Sequence, residues 1–347
     1  MAYTTINKSS LHMNTKLYTG NGGTNAITGV GFQPDWTWIK SRNASNNHRN
    51  YDAVRGATKI IYQNLTNAEA TQSNGLSAFN SDGFTLGDDG NSNSNNATYA
   101  SWNWKAGGGQ GSSNTDGSIN TTYTSVNTTA GFSISKYTGT GSNATIGHGL
   151  GVAPKMIIVK QLNSTNYWTV YHKSLSANSW VYLNTTDAVA SNTAMWNNTE
   201  PTSSVFSIGT YTNTNQSGST YIAYCFAEKQ GYSKVGGSYT GNGNADGTFV
   251  YTGFKPSFIL AKRTDATAGW VLFDNKRIGY NGSGNYWLDA QNAEADQTDA
   301  TGMFDQLSNG FKVRSSFGSR NASGGNYIYM AFGQSLVGSN NIPCTAR

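Results

Sequence analysis

The sequence feature that most constrains the fold is a short motif, Tyr-Thr-Gly-x-Gly, which occurs at Tyr18–Gly22, Tyr137–Gly141 and Tyr239–Gly243. Each copy is followed by a proline and then by a lysine six residues after that proline, namely Pro34 and Lys40, Pro154 and Lys160, and Pro256 and Lys262. A fixed series of landmarks that recurs along a chain indicates one structural unit built several times. The motif therefore predicts three related units.

Further landmarks recur in the same order within each unit. The runs between proline and lysine are apolar, which is typical of strands entered through a proline. Each unit also contains three aromatic residues in a fixed order: an aromatic after the lysine, then a phenylalanine, and then a tyrosine near the end of the unit, which we call the late tyrosine. These are Tyr51, Phe84 and Tyr99, then Tyr171, Phe206 and Tyr221, then Phe273, Phe311 and Tyr327. We interpret the glycines as turn residues, the aromatics as core and the lysines as strand-end caps. The repeat therefore specifies a fold and not a site.

Composition supports a β-rich chain. Only 12% of the 347 residues are charged, against about 25% in an average globular protein, and regularly spaced aromatics argue against disorder. Short apolar runs separated by Gly, Asn and Asp predict an all-β fold of three tandem β-sandwich repeats. A short helical turn is predicted at 65–70.

Glycine-rich and polar stretches set the predicted boundaries. These are an N-terminal arm at 1–16, a first repeat at 17–106, a Gly/Ser-rich linker at 107–118, a second repeat at 119–231, a third repeat at 232–334 and a C-terminal tail at 335–347. The arm and the tail are polar, and the tail is expected to lie along the surface. If the protein is architectural, both are expected to dock on neighbouring proteins. The short joint that carries Tyr232 predicts that the second and third repeats pack together.

Charge and hydropathy exclude two classes of partner. The net charge is +5, but lysines and arginines are scattered, whereas nucleic-acid binding needs a concentrated basic face. No stretch reaches the roughly 18 apolar residues of a membrane helix, and the N-terminus lacks the apolar region of a signal peptide. We therefore expect no nucleic-acid partner, no membrane insertion and no export by the general secretory route.

Four tryptophans allow two interpretations. Trp36 and Trp38 share one face of a predicted strand, and Trp102 and Trp104 share one face of another, because side chains two apart point the same way. They can line a sugar groove or build the core between two sheets. The core is favoured, since tryptophan is usually highly buried.

Residues with catalytic or metal-binding chemistry are sparse. The histidines stand alone, and no nucleophile elbow or phosphate-binding loop is present, which predicts no enzyme, no cofactor and no metal site. Asp82, Asp88 and Asp89 form one acidic cluster, and Glu294, Asp296 and Asp299 form another, so a glycosidase-type carboxylate pair stays an alternative. A calcium ion near Asp88 and Asp89 also stays open, although the loop lacks the downstream glutamate of an EF-hand. Cys225 and Cys344 are predicted to be unpaired.

Several segments carry a resemblance to a known group of proteins: 1–8, 31–40, 81–87, 102–106, 149–155 and 327–332. They resemble virion structural proteins of tailed phages from marine bacteria, often labelled tail fibre or tail protein, with SPRY- or concanavalin-like β-sandwich domains. The resemblance implies membership of a phage particle and sandwiches of the jelly-roll or concanavalin-like type. It carries over no catalytic residue, and it fits tail fibres, head fibres and capsid decorations alike.

These observations lead to a functional hypothesis with two alternatives. The first is a non-enzymatic tail-fibre or tail-associated protein, assembled in the host cytoplasm, exposed on the particle exterior and able to bind host-surface polysaccharide. The alternatives are an architectural capsid decoration, head fibre or connector that binds only virion neighbours, and a polysaccharide-degrading tail enzyme. Other virion proteins are the expected partners, and the resemblance suggests a homo-oligomer, a trimer. The candidate ligand contacts are loop residues: Tyr280, Trp287, Asp289, Trp196 and Asn197.

Overall fold

The computed structural model describes residues 3–277, 285–299 and 303–338 and confirms the predicted all-β class. Every paired strand of the described sheets is antiparallel to its neighbour, and each repeat supplies one large sheet and one small sheet. Helix is confined to single turns: a 3-10 turn at Ser9–Leu11, α1 (Thr193–Trp196), α2 (Thr212–Asn215) and α3 (Gly318–Asn321).

The strands follow the apolar runs of the sequence. The first repeat has β1 (Met13–Thr19), β2 (Asn25–Thr28), β3 (Trp36–Ser41), β4 (Arg49–Asp52), β5 (Lys59–Tyr62), β6 (Ala70–Thr71), β7 (Leu76–Asn80), β8 (Gly83–Leu86) and β9 (Thr98–Trp104). The second has β10 (Tyr123–Asn127), β11 (Phe132–Thr138), β12 (Ala144–Gly147), β13 (Met156–Gln161), β14 (Trp168–His172), β15 (Ser179–Tyr182), β16 (Ala190–Ser191), β17 (Val205–Ile208) and β18 (Thr220–Phe226). The third has β19 (Ser233–Thr240), β20 (Phe249–Tyr251), β21 (Lys255–Arg263), β22 (Trp270–Asp274), β23 (Asn285–Asp289), β24 (Gln297–Asp299), β25 (Phe304–Leu307), β26 (Gly310–Val313) and β27 (Asn326–Gln334).

The large sheets share one strand order. They run β1-β9-β3-β4-β5-β6, then β10-β11-β18-β13-β14-β15-β16, then β19-β27-β21-β22-β23-β24. The second repeat therefore carries one extra edge strand, β10. The small sheets are β2-β8-β7, β12-β17 and β20-β26-β25.

Each large sheet is buried on both faces. One face packs against the small sheet of its own repeat, where Ile27, Tyr51 and Phe84 belong to one such cluster in the first repeat. The opposite face packs against the large sheets of the other two repeats in one shared core. Burial on both faces explains why all six residues of β3 and all six of β13 are buried.

The shared core contains the four tryptophans of the first repeat. The ring centroid of Trp36 lies 4.6 Å from that of Tyr224 in the second repeat, and the ring centroid of Trp104 lies 5.5 Å from that of Phe258 in the third. Phe226 and Phe332 join the other two repeats at 6.1 Å. The core interpretation of the tryptophans is therefore confirmed over the sugar groove, but the core lies between repeats and not between the two sheets of one repeat.

Three backbone joints close the repeats into a ring. The N–H of Glu69 donates to the carbonyl of Leu162 at 2.7 Å, and the N–H of Val189 donates to that of Thr264 at 2.8 Å. The ring closes where the N–H of Asp296 donates to the carbonyl of Arg42 at 2.8 Å, supported by the ion pair of their side chains. The helical turn predicted at 65–70 is wrong, because this segment donates to and accepts from the second repeat instead of bonding within itself.

A buried lysine bridges two of the three joints, whereas the ammonium group of Lys40 donates to Ser41 and Ala44 of its own repeat. The ammonium group of Lys160 donates to the carbonyls of Thr66 in the first repeat and Asn166 in its own, both at 3.0 Å. Lys262 donates in the same way to Thr186 and Ala268. Burial is the main cause that lowers the pKa of Lys160 to about 7 and the pKa of Lys262 to about 8. These landmark lysines therefore bridge repeats as well as ending strands.

The repeated turn motif is held by an asparagine in each repeat. In the second, the side-chain oxygen of Asn215 accepts from the N–H of Thr140 at 2.8 Å, and its amide nitrogen donates to the carbonyl of Gly209 at 2.7 Å. Beside it, the rings of Tyr137 and Tyr221 stack at 5.2 Å. The equivalent asparagines are Asn93 and Asn321. Sequence analysis overlooked them, although each stands six residues before the late tyrosine of its repeat.

The described part of the N-terminal arm packs on the third repeat of the same chain. The N–H of Ser9 donates to the side-chain oxygen of Gln334 at 2.8 Å, the hydroxyl of Tyr3 donates to the carbonyl of Gly253 at 2.7 Å, and Ile6 enters the shared core. Within the described ranges, no helix is long and apolar enough to cross a membrane. Cys225 is buried and unpaired as predicted, whereas Cys344 lies outside the described residues.

A candidate binding groove on the third repeat

A groove of about 580 Å³ runs between two edge strands of the third repeat, β19 of the large sheet and β20 of the small sheet. Its lining consists of Lys234, Gly236–Thr240, Thr248–Tyr251 and Tyr329. We call it the open groove. Among the described residues, each of its long walls is a strand that pairs with a neighbouring strand on one side only.

Two aromatic rings give the open groove its chemical character. Along β20, Val250 points into the core of the repeat, whereas Phe249 and Tyr251 point outward and are 45% and 62% exposed. Exposed aromatic side chains that flank polar backbone are enriched at protein interfaces. The corresponding outward residues are small in the other repeats: Ala26 and Thr28 in the first, Thr145 and Gly147 in the second.

Glycines shape the floor of the open groove. The ladder between β19 and β27 has a bulge between Lys234 and Gly237, and a Cβ atom on Gly237 would lie 2.2 Å from the ring of Tyr329. The N–H of Gly236 donates to the carboxylate of Glu228 at 3.0 Å. The absence of a side chain at Gly237 therefore leaves room for the tyrosine ring that lines the groove.

The equivalent place in the second repeat is filled by the chain itself. Residues 112–127, which we call the covering segment, lie against β12 at Ile119 and then form β10 on the edge of β11. The N–H of Ile119 donates to the carbonyl of Thr145 at 3.1 Å, and the N–H of Thr122 donates to the carbonyl of Lys136 at 2.7 Å. Most of the predicted linker at 107–118 thus packs on the second repeat.

Ionisable groups around the open groove are engaged in structural contacts. Lys234 pairs with Glu228 at 3.3 Å. Burial raises the pKa of Tyr239 and of Tyr329, so both phenols stay protonated at neutral pH. The hydroxyl of Tyr239 donates to the carbonyl of Arg320 at 2.8 Å. The groove therefore offers backbone, hydroxyl and aromatic surface, which is suited to binding.

The candidate contacts predicted from the sequence lie elsewhere. Trp196 is 1% exposed and its indole N–H donates to the carbonyl of Ser179, so its ring faces are unavailable to a sugar. Its neighbour Asn197 is exposed and accepts from Asn143 at 2.9 Å. In the third repeat, the guanidinium of Arg320 lies 4.1 Å from the ring centroid of Trp287.

Asp289 is partly buried, and one carboxylate oxygen accepts from the amide of Asn292 at 3.0 Å. Burial is the main cause that raises the pKa of this carboxyl group.

Tyr280 lies outside the described residues. None of the four candidates that the structure describes lines the open groove, and Trp196 with Asn197 lies in a different repeat from Trp287 with Asp289. A usable sequence signal was the place where one repeat departs from the other two, at Phe249 and Tyr251.

The histidines on the sheets are structural. His48 takes the place that Trp168 and Trp270 hold in the other repeats, and all three rings point a nitrogen at a carbonyl of the neighbouring repeat: Asp289, Tyr62 and Tyr182 respectively. Burial lowers the pKa of His48 well below its usual range and that of His172 to about 4. Both imidazoles are therefore neutral at physiological pH.

The acidic residues considered for calcium are also engaged. The carboxylate of Asp89 pairs with Arg49 at 3.2 Å and accepts from the hydroxyl of Ser92 at 2.6 Å, and Asp88 is exposed. Across residues 3–277, 285–299 and 303–338, no group of three or more His, Cys, Asp or Glu side chains is arranged to hold a metal ion.

Comparison with known proteins adds one finding. Residues 8–335 match a family described as "Domain of unknown function (DUF7483)". No curated protein and no solved structure matches the chain. The family description names neither an activity nor a ligand.

Proposed function

Because the chain belongs to the DUF7483 family, whose description assigns no activity, we propose, from the resemblance of its segments to tailed-phage virion proteins and from its groove, that it is a non-enzymatic structural component of a tailed-phage virion. In this proposal it is built of three β-sandwich repeats of the jelly-roll or concanavalin-like type, and it attaches to a neighbouring virion protein through the open groove. The observation that carries the proposal is the pair of exposed rings, Phe249 and Tyr251, beside two strand edges that have no pairing partner in the part of the chain that the structure describes.

The ring of joints supports an architectural role. The shared core and the closing contact between Asp296 and Arg42 tie the third repeat to the first, so the repeats form one body and cannot swing on linkers. A rigid body that carries an aromatic groove suits a decoration or connector. One chain already arranges three related units around one core, so that arrangement does not require a homo-trimer, and the oligomeric state stays a prediction.

The test compares particle incorporation of groove variants in a phage that lacks its own copy of the gene. Replacing both Phe249 and Tyr251 with Ala is expected to reduce the number of copies per particle at least about tenfold, because buried aromatic anchors contribute most of the energy of an interface. Phe317→Ala is the matched control, since Phe317 is 58% exposed in the same repeat and lies outside the groove. Normal incorporation of the double variant would exclude the groove as the attachment surface.

Binding of host-surface glycans at the same groove is the second candidate, and the exposure of the two rings favours it. A sugar ring stacked on an aromatic gains about 0.5 to 1.5 kcal/mol, and many copies on a particle raise avidity by about 10² to 10⁴. A glycan array probed with a multivalent display of the protein should show signals that the double variant loses. Blank arrays together with defective incorporation would leave the architectural role alone.

A further inference from the structure

We infer that the open groove receives an extended polypeptide strand from a partner protein, which crosses from the edge of β20 to the edge of β19 as the covering segment crosses the second repeat. This inference rests on the proposed function, because it specifies what the neighbouring virion protein inserts. The second repeat serves as a template for this contact, because the covering segment fills its groove, whereas the equivalent groove of the third repeat is open.

The positions of the two grooves correspond residue by residue. Tyr137 and Tyr239 each stack on the late tyrosine of their repeat, so they are equivalent residues. The residues before them, Lys136 and Ser238, are therefore equivalent too. Ile146 pairs with Phe206 in the second repeat as Val250 pairs with Phe311 in the third, so Ile146 and Val250 are equivalent. The residues before them, Thr145 and Phe249, are therefore also equivalent. The two carbonyls that the covering segment fills, on Thr145 and Lys136, therefore correspond to those of Phe249 and Ser238.

The length of the connection before each repeat explains why one groove is open. Between β9 and β11 the chain has residues 105–131, long enough to fold back and add β10. Between β18 and β19 it has only residues 227–232, and these form a tight turn in which the N–H groups of Tyr232 and Ser233 donate to the carbonyl of Lys229. The third repeat thus has no preceding segment that can cover its own edge.

The bulge in β19 limits where a new strand can pair. At Gly236 the N–H is taken by Glu228 and the carbonyl by the hydroxyl of Ser174. The incoming strand therefore meets β19 at Ser238, beyond the bulge, and meets β20 at Phe249 and Tyr251. Bulges of this kind also protect an edge from indiscriminate pairing, which favours one specific occupant.

The covering segment defines the chemistry of the occupant. It is uncharged except for Asp116, and it is rich in Ser, Thr and Asn. It turns Ile119 into the core of its repeat and packs Val126 against the same core. Addition of such a strand to a sheet edge gains affinity from main-chain hydrogen bonds and specificity from side-chain contacts. The rings of Phe249 and Tyr251 supply apolar contacts that Thr145 and Gly147 do not, and these suit a strand held by a separate molecule.

The experiment offers the full-length protein a synthetic peptide with the sequence of residues 112–127 and measures binding by isothermal titration calorimetry. We expect one saturable site with a dissociation constant between about 1 μM and 1 mM. Replacing both Phe249 and Tyr251 with Ala should weaken binding at least about tenfold, whereas Phe317→Ala should leave it unchanged. A circular-dichroism melt checks that the variants stay folded.

Two modified peptides separate strand pairing from adhesion. A peptide N-methylated at the positions of Ile119 and Thr122 lacks the two donors of the template and should bind at least about tenfold more weakly, and a scrambled peptide should not bind. No saturable binding up to about 1 mM, or equal binding of the N-methylated peptide, would overturn the strand inference. Dependence of particle incorporation on the groove would still uphold the proposed function in that case. If the protein self-associates in a concentration-dependent way and the double variant does not, the groove binds a second copy of the chain. That result would overturn the inference that a different protein supplies the strand.

Discussion

The second and third repeats have the same interior and different edges. Both stack a tyrosine pair over a buried asparagine, and both place a buried lysine at a joint with the preceding or following repeat. At the sheet edge, the second repeat is covered by residues 112–127, whereas the third is open and carries Phe249 and Tyr251. The shared positions specify the fold, and the positions that differ indicate where the molecule makes contact.

The largest expected effect comes from breaking the covered edge. Ile119 is 8% exposed and packs in the core of the second repeat, so Ile119→Ala should lower the free energy of unfolding by about 2 to 4 kcal/mol through loss of burial and a residual cavity. Phe249→Ala at the open edge should change it by less than about 0.5 kcal/mol, because surface substitutions rarely cost more. Urea denaturation monitored by tryptophan fluorescence measures both. Equal losses would show that the open edge is part of the core.

The joint lysines should instead behave alike in the two repeats. Their folded pKa values, about 7 for Lys160 and about 8 for Lys262, lie below the unfolded value of about 10.4. The unfolded chain therefore binds more protons between about pH 7 and pH 10, and the free energy of unfolding should rise with pH across that window, by about 1.4 kcal/mol per unit of pKa shift in the limit of full burial.

Lys160→Met and Lys262→Met should each flatten this rise, and Lys8→Met, at an exposed lysine of the arm, should retain it. Denaturation at pH 7, 8 and 9.5 tests the slope and avoids the histidines, whose lowered pKa values act below about pH 6.5. A wild-type stability that is flat or falls between pH 7 and 9.5 would contradict the prediction.

The smallest effect concerns the tyrosine hydroxyls of the turn motif. Tyr137 donates to the carbonyl of Thr214 at 2.7 Å, and Tyr239 donates to that of Arg320 at 2.8 Å. Tyr137→Phe and Tyr239→Phe should each cost about 1 kcal/mol, equal within about 0.5 kcal/mol. Tyr167→Phe, at a ring 41% exposed, should cost nothing measurable by the same urea titration. A clearly unequal pair would mean that the interiors of the two repeats differ as well.

Local sequence patterns predicted much of the fold. The apolar runs between proline and lysine located β3, β13 and β21 closely, and the spacing of Trp36 with Trp38 correctly placed both on a buried face. The sequence pattern could not predict what the tryptophan face packs against. A strand that is buried on both faces has the same apolar pattern whether the second face packs against a small sheet or against another repeat. The first strand, β1, was missed because Met13–Thr19 is polar and half-buried.

The open groove was beyond sequence reasoning for a different reason. Candidate contacts were chosen by residue type, which selected Trp196, a core residue, and Trp287, which lies beneath Arg320. The groove exists because no described segment pairs with the edges of β19 and β20. Whether a segment can reach such an edge depends on the length of the connection between strands, which the residues of the groove do not reveal. Comparison of the repeats with one another, position by position, would have singled out Phe249 and Tyr251.

The ring closure has a consequence for synthesis of the chain. Trp102 and Trp104 pack against Phe258, and Trp104 also packs against Phe332, residues of β21 and β27 that are synthesised long after the first repeat. Until then, the nascent first repeat presents an indole-lined sheet face to solvent, and transiently exposed apolar surface of this kind promotes aggregation. The protein is therefore expected to depend on chaperones until its last strand arrives, and fragments that stop after the first or second repeat should be insoluble.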